Sequence, residues 1–557
     1  MFTLDPYAAR SCPLKVHNAF HPGMVKPDAP IGTSRFPGSA EFAASVYERI
    51  LAGSASVADL RGLLGQPSEV QEQACLAALA EGTDVVLAGL LPRDWEAHRS
   101  GRPDLLVRDP AGGYVPGIIR YQRVVDSRGD DLPFVWSALG DLPRRHRTTG
   151  WRYRWHWRWA NALQLTHLWR MLGAIGEQAA SGPWGVVVGN DEVGADGLRA
   201  TWLDLTEPAA PPAPAQVDRF AAAPDHVPPV SSLDRYDHEF ALRVDLAERA
   251  AAADPDDPPL MHPVVSYECS YCTWWPRCRA ELDDDDLSLR ISKSPLDHHE
   301  IAALREAGVT TVQELAGSDL DALLPGYLPH VAHRPGAEER LRLAYRRSRL
   351  LADGIQLERT SHGPIAVPSA PLEIDIDVET SRDDRVYLWG FWVSDGNGGG
   401  RYHEFSSFTE LDDAGERELA RRAMSWLHDF VGDSDALVFH YSDYEVVRLQ
   451  RLAADDDALM QWAVDFAGSH FVDLFRAVRQ HFFGAGGLGL KVVATAGAGF
   501  HWRDDDPGGL NSMRWFEEAV HAPTEDARAQ ARTRVLEYNE DDVKATWQLR
   551  RWLREIT

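Results

Sequence analysis

The stretch LEIDIDVET, residues 372–380, decides how the C-terminal third of this chain is read. Aliphatic residues alternate with acids, as in a strand whose successive side chains point to opposite faces. Asp377 and Glu379 stand two apart near the end of that strand, so both project from one face. Far downstream, the run YNEDD (538–542) has helical character, and Tyr538 and Asp542, four apart, again share a face. Two magnesium or manganese ions, about 3.5–4 Å apart, need such a convergent set of carboxylates to activate a water and stabilise a leaving oxygen.

Working outward, VYLWGFWV (386–393) and RYHEF (401–405) continue the strand pattern and predict a hairpin. Amphipathic helices are expected near 411–431 and 443–453, with the apolar strand ALVF (436–439) between them and a last helix from about 533 to 555. That order predicts a mixed sheet with helices packed on it. With its two acidic motifs, the segment 370–557 resembles the RNase H-like DEDDy exonucleases, in detail the YprB-type branch. The resemblance implies a two-metal 3′–5′ exonuclease acting on DNA or RNA. Asp377 and Glu379 would be its first-motif ligands and Asp542 its last, and Tyr538 would orient the attacking water. The middle motif departs from pattern: VFHYSDYEVVRL (438–449) offers Glu445, the position we favour, or Asp443 where an aspartate is expected. Asp473 and the pair Leu490–Lys491 also resemble this branch, in supporting roles.

Four of the five cysteines form a second pattern, Cys12 and then Cys269, Cys272 and Cys278 in YECSYCTWWPRC (267–278). Thiolates are soft ligands, and four of them satisfy a tetrahedral zinc or a [4Fe–4S] cube. One distant cysteine plus a C-x2-C-x5-C triplet is similar to the RecB-type iron–sulphur nucleases. By that likeness residues 1–285 are a PD-(D/E)xK-like nuclease domain whose two ends a [4Fe–4S] cluster staples. Cys75, in VQEQACLAALA, reads as a core residue.

The nuclease site implied by that likeness is degenerate. Asp104 in GRPDLL matches the first metal-binding aspartate, and Gln164 matches a helical glutamine. On the next strand, YVPGIIRYQ puts Ile118 in the place of the second carboxylate and Arg120 in that of the lysine. Isoleucine cannot bind magnesium, and neither Glu41 nor Glu48, candidate early acids, replaces the ligand on its strand. The domain is therefore expected to serve structure or nucleic-acid binding. GWRYRWHWRW (150–159) supports binding: on a strand, Trp155 and its neighbouring aromatics would form one face, and Arg152, Arg154 and Arg158 the other, suited to stacking bases and holding phosphates.

A chain of 557 residues exceeds a single core, so an α/β multidomain protein is expected. Residues 286–362 read as a helical connector in which IAALREAGVTTVQELA, turning at Gly308, resembles a helix-hairpin-helix. Its arginines Arg340, Arg342, Arg346, Arg347 and Arg349 read as solvated helix surface. The formal charge of −27 excludes wholesale coating of nucleic acid but not a local groove. The absence of an apolar run of membrane-spanning length and of a basic-then-apolar leader predicts a cytoplasmic protein with no membrane partner.

Overall fold

The computed structural model describes residues 1–27, 39–54, 56–127, 133–192, 197–207, 231–331, 334, 336–394, 399–453 and 457–557. The Pro/Ala-rich stretch EPAAPPAPAQ (207–216) lies, from 208 on, outside the described residues. The chain divides into two compact units, Met1–Tyr345 and Arg346–Thr557.

In the first unit an eight-stranded sheet is built from β1 (Val57–Asp59), β2 (Val85–Leu87), β3 (Leu105–Arg108), β4 (Tyr114–Arg120), β5 (Phe134–Ala138), β6 (His146–Thr148), β7 (Trp184–Glu192) and β8 (Leu198–Asp204). Their order is β1-β2-β3-β4-β7-β8-β5-β6, with β4 and β7 parallel. The central strands read as continuous apolar runs because both faces are covered; Val85, Leu105, Leu106, Val107, Val186 and Val187 are fully buried. Cys75 packs in this core, as expected. Helix α1 (Pro13–Phe20) and helix α3 (Ser232–Ala251) lie together, and Tyr236, Phe240 and Ala247 of α3 share a cluster with Leu4, Ala8 and Val16.

The expected strand through 150–159 is corrected. Only Trp151–Tyr153 is extended, paired with Val125–Ser127, and helix α2 (Trp155–Ala174) begins directly after Arg154. The local alternation loses to the helix because the following residues bury Leu165, Leu168 and Leu172 in the sheet's core and Leu163 in the cluster on α3. Arg152 therefore lies on a strand, Arg154 at the helix cap with its N–H donated to Val124 (2.7 Å), and Arg158 on the helix, ion-paired with Glu207. Trp155 opens α2, and its side chain lies outside the described residues. The continuous stacking face is not formed.

Two capped helices make the hairpin of the connector. Asp297 caps α4 (His298–Glu306) in a reciprocal box with Glu300, and Thr311 caps α5 (Val312–Gly317) with Glu314. Between them Gly308 has φ +79°, a left-handed turn that suits glycine. The expected apolar residues Ile301, Leu304, Val309, Val312 and Leu315 are all buried. The arginines differ from expectation: Arg340 is buried and donates to both oxygens of Glu300 at 2.7 Å, and Arg347 is 2% exposed. Burial of so polar a helix face is balanced by paired charge.

The second unit has a five-stranded mixed sheet of β9 (Leu372–Thr380), β10 (Val386–Ser394), β11 (Gly400–Ser406), β12 (Ala436–His440) and β13 (Phe471–Asp473), in the order β11-β10-β9-β12-β13. β9, β10 and β11 are antiparallel, while β12 runs parallel to β9 and β13 to β12. One face packs on the helix Asp413–Val431 through Leu419, Ala423 and Leu427. Helix α6 (Tyr444–Leu452) follows β12, as expected. Helix α7 (Gly509–His521) packs against helix α8 (Glu525–Glu555), which starts earlier than its periodicity suggests because Thr524 caps it and the acids Glu525 and Asp526 favour its first turn. Among the described residues no helix is long and apolar enough to cross a membrane.

Candidate active site

Strand β9 carries four acids at alternate positions, Glu373, Asp375, Asp377 and Glu379, and helix α8 treats them in two ways. Near its C-terminus α8 is cationic: Arg554 reaches Glu373 (2.8 Å), and Arg550 holds Asp375 through Nε at 2.9 Å and Nη2 at 3.0 Å. Asp375 and Arg550 are fully buried, so each charge needs the other. Further toward its N-terminus the same helix presents Asp542, Asn539 and Tyr538 instead of arginines. Half of the strand's acids are thus neutralised internally and half are not.

The unneutralised half forms a compact site. Ligand oxygens of Asp377, Glu379 and Asp542 all lie within 4.8 Å of one another. Burial pushes all three carboxyls above their ordinary range, and repulsion from Asp542 adds to it at Asp377 and at Glu379, which rises to about 8. Each is held by a neutral donor: Asn539 Nδ2 to Asp377 (2.7 Å), Ser512 Oγ to Glu379 (2.6 Å) and Trp502 Nε1 to Asp542 (2.6 Å). Asn539 is in turn fixed by the Tyr402 hydroxyl (2.8 Å), and a Cβ at Gly390, across the ladder from Asp377, would fall 1.7 Å from Asn539 Oδ1. Trp502 is positioned by its neighbour Arg503, whose backbone N–H and Nε both bond Asp541 (2.8 and 2.9 Å).

One cation stands at this site. Lys491 Nζ donates to the Tyr538 hydroxyl (2.8 Å) and lies 3.4 Å from Asp542. Tyr538 is buried, and burial together with Asp542 raises its pKa well above normal, so it remains a neutral phenol. Glu445 is buried at the start of α6, with Oε2 3.4 Å from His440 Nδ1, and its charge adds to those that raise Asp377. It is outside the compact triad. Asp443 is exposed at the cap of α6, and Asp473 accepts the N–H groups of Ser442 and Phe475 (both 2.9 Å), a structural turn-holding role.

Residues 374–554 match the family model described as RNase_H superfamily. This segment is an RNase H-like domain. Its superfamily supports nuclease-type activity, a nucleic-acid substrate and divalent-metal use at that coarse level, in keeping with the acidic triad. Comparison with curated proteins and with solved structures gives no match.

Trp502, Ser512 and Asn539 were not anticipated from the sequence. Asn539 had a signal, standing three residues before Asp542 on one helix face. Trp502 and Ser512 had none, because loop and helix packing bring them in from elsewhere.

In the first unit Cys12, Cys269, Cys272 and Cys278 line one small cavity with Lys15, Glu268 and Trp274. Burial, and then the neighbouring cysteines, push the Cys278 thiol up to about 12, and burial raises Cys12 to about 11. Glu268 ties the two ends together, accepting the Cys12 N–H (2.9 Å) and pairing with Lys15 (3.0 Å). No three of these sulphurs fall within 4.8 Å of one another. Asp104, Arg120 and Gln164 line a separate cavity of about 740 Å³, whereas Ile118 packs into the apolar core. A further triad, Glu239, His298 and His299, has metal-ligand spacing, but Arg243 (2.6 Å) and Arg235 (2.9 Å) already neutralise Glu239. It reads as an ion network joining α3 to α4.

Proposed function

We propose that this protein is a metal-dependent nuclease that trims DNA or RNA from a 3′ end through its RNase H-like domain, while the first unit binds the nucleic acid. The observation that carries this reading is the buried triad Asp377, Glu379 and Asp542, three mutually repelling carboxylates with one lysine beside them. Such a group is stable in charged form only with added positive charge, which fits magnesium or manganese. Asp377, Glu379 and Asp542 would hold the metal, with Glu445 the better placed of the two middle-motif candidates because it is buried and its field reaches Asp377. When bound, the ions would lower the pKa of a water and stabilise the leaving oxygen. The chain's own residues do the rest. Asn539, Ser512 and Trp502 fix the carboxylate orientations. Tyr538, kept neutral and oriented by Lys491, is suited to hold the attacking water by hydrogen bonding.

We infer that the cysteine cavity holds a [4Fe–4S] cluster, the reading supported by one distant cysteine and a C-x2-C-x5-C triplet lining one cavity. The cluster would join Cys12, near the N-terminus, to the triplet at 269–278. Iron and zinc analysis of anaerobically purified protein tests this, with about four irons per chain expected.

The test of the main reading is digestion of 3′- and 5′-end-labelled single- and double-stranded DNA and RNA with magnesium or manganese. Stepwise shortening from the 3′ end, abolished in Asp377→Ala, is expected. Equal activity in wild type and Asp377→Ala would leave a nucleic-acid-binding adaptor.

A further inference from the structure

We propose that the cavity beside Asp104 is a binding pocket for a phosphate of a nucleic-acid strand, gripped by the guanidinium groups of Arg102 and Arg120 with no metal ion. The inference deepens the binding role proposed for the first unit and does not require the second unit to be catalytic.

Arg102 and Arg120 both donate to neutral acceptors. Arg102 Nη1 donates to the Ala88 carbonyl (2.6 Å) and its Nη2 to the Gln71 amide oxygen. Arg120 donates from Nε to Asn161 (3.2 Å), from Nη1 to the Ile119 carbonyl (2.7 Å) and from Nη2 to Gln164. Every one of these acceptors is uncharged. The same Gln164 oxygen also accepts from Arg10 (3.3 Å), so two guanidinium groups converge on one neutral atom. Among the described residues the carboxylate within 4 Å of Arg120 is Asp104, at 3.8 Å and already accepting the Ile119 N–H at 2.7 Å. Asp5, Glu72 and Arg93 also line the cavity, so acids and arginines are equal in number there, and what favours an anion is that Arg102 and Arg120 bond neutral acceptors.

Positive charge set into a cavity beside neutral acceptors leaves a site for an anion. Neither arginine uses all five of its N–H donors in these bonds, and the planar fork matches two phosphate oxygens. The cavity, about 740 Å³, has room for a nucleotide. Tyr7, 49% exposed, lines it too and offers a ring on which a base can stack. In a chain of net charge −27 the attraction would come from these two guanidinium groups rather than from a basic surface, so the cavity suits one phosphate gripped in place.

The experiment measures binding of a fluorescent single-stranded 12-mer to the full chain in EDTA, by anisotropy over a salt series. Wild type should bind without divalent ions. Arg102→Gln should weaken binding about 10-fold and lower the slope of log affinity against log salt by about 1. Arg249→Gln, which removes the same charge from an exposed helix face outside both sites, should bind like wild type. As a check that needs no variant, the oligonucleotide should protect Arg102 and Arg120 of the wild-type chain from phenylglyoxal, read by mass spectrometry. Unchanged affinity and slope in folded Arg102→Gln, absence of protection, or binding that requires magnesium would each overturn it. Equally strong protection by inorganic phosphate at the same phosphate concentration would show a free-phosphate site and overturn the strand reading.

Discussion

Two acid-bearing sites in this chain pair their charges differently. Around Asp104, acids and arginines line one cavity in equal number, and Arg102, Arg120 and Arg10 donate to neutral acceptors. Around Asp377 three carboxylates crowd together and one lysine answers them. The first leaves guanidinium donors to spare and suits an anion, and the second has a surplus of negative charge and suits cations. What distinguishes the two is therefore the balance of side chains around an aspartate, more than the strand that carries it.

The sharpest way to break this comparison is to neutralise one aspartate in each site. Asp377→Asn or Asp542→Asn should reduce hydrolysis on the order of 10³-fold or more, because each removes charge from a centre that must hold divalent ions. Asp104→Asn should leave the rate within about 2-fold, since the position of the partner ligand on the next strand is Ile118, packed in the apolar core. Comparable losses from Asp104→Asn and Asp377→Asn, measured as initial rates on the same substrate, would erase the distinction. Tyr538→Phe comes next. It keeps the carboxylates and removes one hydroxyl, so a loss of about 10²-fold at saturating metal is expected.

Much of the second site was legible in the sequence because strand and helix periodicities are short-range. The two-residue spacing of Asp377 and Glu379 and the four-residue spacing of Tyr538 and Asp542 fix which side chains share a face before any packing is known. The same reasoning failed at 150–159, where alternation promised a strand and burial of Leu163, Leu165 and Leu168 made a helix. It also left the connector arginines on the surface, although Arg340 is buried against Glu300 from a different helix. Nor did it reveal that Glu373 and Asp375 are neutralised by Arg554 and Arg550 while Asp377 and Glu379 meet the neutral donors Asn539 and Ser512. Long-range charge pairing has no period, so composition and spacing could not show it.

The donors that hold the triad give a smaller effect and sharpen the metal side of the comparison. Trp502→Phe removes the N–H that fixes Asp542, and Asn539→Ala removes the one that fixes Asp377, yet both leave every ligand in place. Each should raise the magnesium concentration for half-maximal rate about 10-fold while the rate at saturating magnesium falls less, as expected for groups that orient ligands. Arg102→Gln in the other site should not move the magnesium dependence. A parallel shift from Arg102→Gln would mean that the first-unit cavity also serves a metal.

The smallest expected effect is on stability, and its size separates the sites. In EDTA, Asp377→Asn should stabilise the RNase H-like domain, because burial and repulsion from Asp542 and Glu379 disfavour its charged form while no divalent ion is bound. Asp104→Asn should move the first unit less, because burial raises the Asp104 carboxyl too but Arg120 and the Ile119 N–H offset part of that cost. The Asp377 change is expected to be about 1 kcal/mol, a melting shift of about 2–4 °C for a domain of this size. Saturating magnesium should stabilise wild type and leave less room for Asp377→Asn to gain, since the ions then supply the missing charge. Thermal unfolding of the full chain, with the two transitions assigned by the variants themselves, reads both shifts in one experiment. If Asp104→Asn gains as much as Asp377→Asn in EDTA, the difference in charge balance inferred for the two sites is wrong.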